Sequence, residues 1–153
     1  MFQFVVNSFL VVLASLAQTA GFMALNGIKP NLALALIVSI SVYETKWLKR
    51  IIFILLAALF LKSGPYIDFQ IVIFAGITAL GIALIDYLPW HRQINWFFAL
   101  SAATLAGVAL GTGWFELGIE LVYNLAVGLV FLLIVPRIDS DGENTRAQKN
   151  KFG

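Results

Sequence analysis

Few side chains in this 153-residue chain can do chemistry, and their spacing does not gather them. The one histidine, His91, stands in a short loop between Asp86 and Pro89 on one side and Arg92 on the other. It has no nucleophile beside it and no second histidine or cysteine with which to share a metal. The chain contains no cysteine, which removes thiolate catalysis, thiolate metal sites and disulfides together. Gly111-Thr112-Gly113 has the look of a phosphate loop. It follows an apolar helix rather than a strand, and Glu116 stands where a third glycine is needed. Glu116 and Glu120 lie one turn apart at the start of an apolar segment, where acids oppose the helix dipole favourably. Asp86 and Arg92 suit an interfacial ion pair. Tyr123 and Asn124 lie deeper in the same segment as Glu120. Asn124 at that depth is expected to bond a neighbouring helix, and Glu120 with Asn124 marks a possible polar cavity. Nothing here forms a catalytic, cofactor-binding or metal-binding set, so the expectation is a protein that is not an enzyme and carries no cofactor.

The elements that position these residues follow from composition. Hydrophobic residues make up 61% of the chain and charged residues 12%, with a mean hydropathy of +0.93. Soluble domains carry about 25% charge, so a lipid-embedded fold is indicated. The net charge of +2 is too small to point to a nucleic acid. Six apolar segments stand out, at 4–25, 31–43, 48–61, 70–88, 94–112 and 117–135. The second and third are short. Read as one span, they would bury Glu44, Lys46, Lys49 and Arg50 at a cost of about 10 kcal/mol or more. Two helices and a wet turn at 44–48 are therefore expected; such short helices must extend into the turn, thin the bilayer locally or snorkel, and Lys49, Arg50 and Lys62 sit where snorkelling would help. The expected fold is an all-α, six-helix transmembrane bundle over 1–136, followed by a polar, disordered cytoplasmic tail over 137–153.

Charge asymmetry orients this bundle. With both termini cytoplasmic, Lys46, Lys49, Arg50, Arg92, Arg137, Arg146, Lys149 and Lys151 fall inside and only Lys29 and Lys62 fall outside. Eight basic residues against two is the bias expected of an inner (cytoplasmic) membrane, multi-pass protein. Trp47, Trp90, Trp96 and Trp114 fall at segment ends, where the membrane interface favours them. Ser15-Leu16-Ala17 resembles a signal-peptide cleavage site, but no basic residue precedes it and the apolar run continues beyond it, so retention is expected.

Helix surfaces carry a second pattern. Ser8, Ser15, Thr19 and Asn26 form a polar stripe on the first segment. Ala75, Ala79 and Ala83 recur every fourth residue on the fourth. On the fifth, Ala99, Ala103, Gly107 and Gly111 form an unbroken strip of small residues, a face for helix packing or for a membrane partner. Internal packing of the bundle is one use of this strip and docking of a partner is the other; spacing alone leaves both open, and the strip is the best candidate for a partner face.

Gln18 late in the first segment, the turn Asn26-Gly27-Ile28-Lys29-Pro30-Asn31 with the apolar run Leu32–Val38 after it, and Tyr123-Asn124-Leu125-Ala126-Val127-Gly128 in the last segment resemble the rod-shape-determining MreD family. The resemblance spans most of the chain by layout and two short stretches by motif. It implies a non-catalytic membrane scaffold of the cell-wall elongation machinery, working on peptidoglycan synthesis and cell shape, with an MreC-like protein and wall-synthesis enzymes as partners. Phe53–Lys62 departs from the family pattern in lacking both glycine and aspartate. The alternative is a substrate-binding membrane subunit of a vitamin-type transporter. Such subunits dock through small residues on their first helix, and Ala17 with Gly21 and Ala20 with Ala24 have that spacing.

Overall fold

The computed structural model describes residues 2–24, 28–62, 68–111 and 117–149. They form six helices: α1 (Phe2–Thr19), α2 (Leu32–Tyr43), α3 (Trp47–Leu61), α4 (Phe69–Tyr87), α5 (Arg92–Gly111) and α6 (Leu117–Lys149). No β-strand occurs among the described residues. Phe2–Thr19, Phe69–Tyr87 and the Gly118–Val135 part of α6 are long and apolar enough to cross a membrane.

The sequence of α2 explains the architecture. Leu32–Tyr43 is apolar on every face, and such a helix belongs inside a fold rather than on its edge. Every residue from Leu32 to Val42 is buried. α2 touches all five other helices, and those five close a ring around it in the order α1, α3, α4, α5, α6. Phe53 and Ala57 of α3, Ile82 and Ile85 of α4, Leu100 of α5 and Val11 of α1 complete the core. The ring's outer surface is apolar too: Phe9 and Leu13 of α1, Leu55 and Leu59 of α3, Val72 and Leu80 of α4, Phe97 of α5, and Val130 and Leu133 of α6 are all exposed. Water-soluble monomers do not present apolar surface on this scale, and lipid is the solvent that suits it. Between α1 and α6 the ring leaves an apolar groove of about 310 Å³ lined by Leu13, Ala17, Val127 and Val130, among others.

Several sequence expectations change. The first helix stops at Thr19, six residues short of the expected end. Phe22 donates to the Ala17 carbonyl at 2.9 Å and Gly21 to the Gln18 carbonyl at 3.1 Å. Gly21 has a φ of 72°. This is a Schellman stop, for which a glycine in the left-handed region is the usual residue. The Ser8, Ser15 and Thr19 hydroxyls of the polar stripe donate to carbonyls of α1 itself, and Asn26, its fourth residue, lies outside the described residues. At the other end, α6 continues as backbone helix to Lys149, although Pro136 and the polar residues after it argue for a stop near residue 135. Trp96, near the start of α5, faces inward rather than outward. It is buried, and its Nε1 donates to Ser39 Oγ at 3.0 Å. Trp47 and Trp90 are exposed, and Trp114 lies outside the described residues.

Candidate functional site

A helix leaves four N–H groups and four carbonyls without intrahelical partners, and in a buried helix the protein must supply them. α2 shows how. At its start, Asn31 is the cap, and its Oδ1 accepts from the Leu34 N–H at 3.0 Å. Gln18 Oε1, brought from the last turn of α1, accepts from the Ala33 N–H at 3.1 Å. Asn124 Oδ1, from α6, accepts from the Asn31 N–H at 2.7 Å. The Asn124 Nδ2 then donates to Thr104 Oγ1 on α5 at 3.2 Å. Four neutral side chains from three helices and one loop thus hold the positive end of α2. Asn124 bonds neighbouring elements as its type and depth implied. Tyr123 adds a tie, donating to the Met23 carbonyl at 2.5 Å.

Beside this end lies a cavity of about 630 Å³. Its polar wall comprises Gln18, Lys29, Asn31, Gln70, Thr104, Glu120 and Asn124, and its apolar wall includes Leu34, Phe74, Ile77 and Val108. The structure therefore brings Glu120 and Asn124, the expected cavity residues, onto one wall. Glu116 lies outside the described residues, as do Thr112 and Gly113 of the loop.

The other end of α2 is held by charge. Arg50 is fully buried. Its Nε donates to the Glu44 carbonyl at 2.6 Å and its Nη2 to the Ser41 carbonyl at 2.9 Å. Its guanidinium forms a two-point pair with the Asp86 carboxylate and lies over the Trp47 ring, 5.4 Å from the centroid. Arg92 completes the cluster, donating to Asp86 Oδ1 at 3.0 Å and to the Ser41 carbonyl at 3.3 Å. Two guanidiniums at a helix C-terminus oppose its partial negative charge, and the planar fork of arginine fits a carboxylate at two points. The Asp86–Arg92 pair matches the sequence reading. Arg50 sits where snorkelling would help a short helix, yet it turns inward, where Asp86 and two carbonyls meet it. Nearby, Lys49 pairs with Glu44. Burial raises the Glu44 carboxyl, but hydrogen bonds from the Lys49 side chain and the Lys46 N–H, with the charges of both lysines, hold it below its ordinary value.

Of the two uses left open for the small-residue strip of α5, the structure shows packing within the bundle for its first half. Ala99 and Ala103 are buried inside the bundle. A Cβ on Gly81 of α4 would stand 3.3 Å from Ala103 Cβ and 3.6 Å from the Ala99 carbonyl oxygen. The strip lets α4 and α5 approach each other, and Gly107 joins the cavity wall. Gly111 ends α5, and its surroundings lie outside the described residues. A second close approach was not anticipated. A Cβ on Gly128 of α6 would meet Leu100 Cδ2 at 2.5 Å and Trp96 Cζ2 at 2.9 Å. The Gly128 carbonyl accepts from Ser39 Oγ at 3.1 Å, which joins α2, α5 and α6.

His91, next to Arg92, is exposed. No protein-family model matches the chain, and no curated protein or solved structure matches it either.

Proposed function

We propose that the chain is an integral scaffold of the inner membrane that crosses the bilayer six times with both termini cytoplasmic and serves the cell-wall elongation machinery without catalysis. Its partners on this reading are an MreC-like protein and wall-synthesis enzymes. The observation that carries the proposal is a convergence. Gln18, Asn31 and Asn124, taken from the separate stretches that resemble the MreD family, meet at one place and hold the start of α2. Scattered motif residues that converge on one structural task support a shared architecture more strongly than layout does. The eight-to-two basic bias supports the orientation. With the α5 strip turned inward, partner contact falls to the outward apolar faces of the ring. Affinity purification of the tagged chain after cross-linking in a rod-shaped bacterial host tests the reading. Recovery of an MreC-like protein, with cell rounding on depletion, is the expected result. Normal cell shape on depletion and no wall-synthesis partner would overturn it.

A further inference from the structure

The cavity beside the start of α2 is larger than capping requires, and its wall is graded. Beyond Ala103 the α4–α5 contact loosens, and a Cβ on Gly107 would meet nothing nearer than Ile77 Cδ1 at 3.9 Å. The deep wall carries Leu34, Ile77 and Thr104, all buried and none charged. Lys29 and Gln70 lie at the exposed side. A volume of about 630 Å³ falls within the range of small-molecule sites, which are mostly apolar with a few placed polar groups.

Thr104 is the telling group. The helix hydroxyls of Ser8, Ser15, Ser39, Ser41 and Thr78 each donate to the carbonyl four residues earlier. Thr104 is 2% exposed, and its oxygen accepts from Asn124. Its own O–H has no acceptor among the described residues. A buried donor without an acceptor is costly, and an acceptor atom within the cavity would satisfy it. At the exposed side, Lys29 makes no ion pair among the described residues. One ligand carboxylate can pair with Lys29 at that side of the cavity.

We propose that this cavity binds a small, partly apolar monocarboxylate whose apolar body carries a hydrogen-bond acceptor. The body lies against Leu34 and Ile77, the acceptor receives the Thr104 O–H, and the carboxylate meets Lys29. This site is independent of the scaffold reading, which is tested by partner recovery and stands or falls separately.

N-acetylphenylalaninate carries all three features and serves as the probe. Binding to the purified full chain in micelles is followed by calorimetry and by the shift of the thermal midpoint. Saturable binding at millimolar probe or below is expected. N-acetylphenylalanine amide, without the carboxylate, and 3-phenylpropionate, without the amide carbonyl, should each bind about tenfold more weakly. Lys29→Gln should weaken the acid to the level of its amide, and Thr104→Val should erase the advantage over 3-phenylpropionate while Thr104→Ser keeps it. Lys29 is exposed, so its variant carries the test if Thr104→Val does not fold. Absence of saturable binding, or binding unchanged in Lys29→Gln, overturns the proposal.

Discussion

Replacing Asp86 by alanine should be among the most damaging single changes in the chain, and its cost can be worked from the site. The substitution leaves the Arg50 guanidinium, 0% exposed, with two carbonyls and the Trp47 ring but no counter-charge. Removing one partner of a buried pair costs about 3–5 kcal/mol. The Asp86 side chain is 29% exposed, so water can approach the vacated side and the lower figure applies, about 3 kcal/mol. Asp86→Asn keeps an acceptor and should cost about 1–2 kcal/mol. In Arg50→Met/Asp86→Leu both charges go, and Arg92 still reaches the Ser41 carbonyl. The double variant should therefore be more stable than Asp86→Ala. Reversible unfolding in mixed micelles, read by tryptophan fluorescence, measures all three. A cost below about 1 kcal/mol for Asp86→Ala, or a double variant less stable than it, would refute the assignment of Arg50 as a buried, carboxylate-dependent cation.

Three further outcomes are expected. Gly128→Ala forces a methyl against Leu100 and Trp96 and should cost about 1–3 kcal/mol in the same unfolding assay; an unchanged midpoint would remove the α5–α6 close approach. Gly81→Leu should be poorly tolerated, whereas Gly76→Leu should fold normally because nothing lies within 4 Å of its Cβ position; equal folded yields of the two would contradict the α4–α5 packing. The lowered Glu44 carboxyl contributes stability that is fully present above its unfolded value of about 4.3 and is lost as pH falls through the folded value. Unfolding of the parent should therefore be more acid-sensitive than that of Glu44→Gln, and parallel pH profiles would exclude this contribution.

The helices were legible because apolar runs and the charges between them are local signals. The Asp86–Arg92 pair was legible for the same reason, since only a short turn separates the two. Arg50 was not, because it sits in a basic run with Lys46 and Lys49 while its carboxylate partner is 36 positions away. Only the fold joins them. The central place of α2 had an unused sign: Leu32–Val42 has no polar face for a headgroup or for water, and its two serines, Ser39 and Ser41, both donate back into the helix. The end of α1 was also written locally, in Gly21, but the apolar residues after it obscured the stop. Small-residue spacing showed that α5 makes a close approach and could not show to what. That depended on Gly81, on a different helix.

The five outer helices form a ring that shields α2 and turns an apolar surface outward. Because the chain has no cysteine, single cysteines carrying nitroxide labels report one site each without background. Collision with dissolved oxygen in a bilayer, measured by electron paramagnetic resonance, distinguishes lipid-facing from buried sites. Labels at Leu13, Leu55, Leu80 and Leu133 should show high oxygen accessibility and no access to a water-soluble nickel reagent, while labels at Ala35 and Val38 should be shielded from both. Oxygen accessibility at Ala35 and Val38 equal to that of the ring positions, or nickel access along the ring faces, would contradict this arrangement.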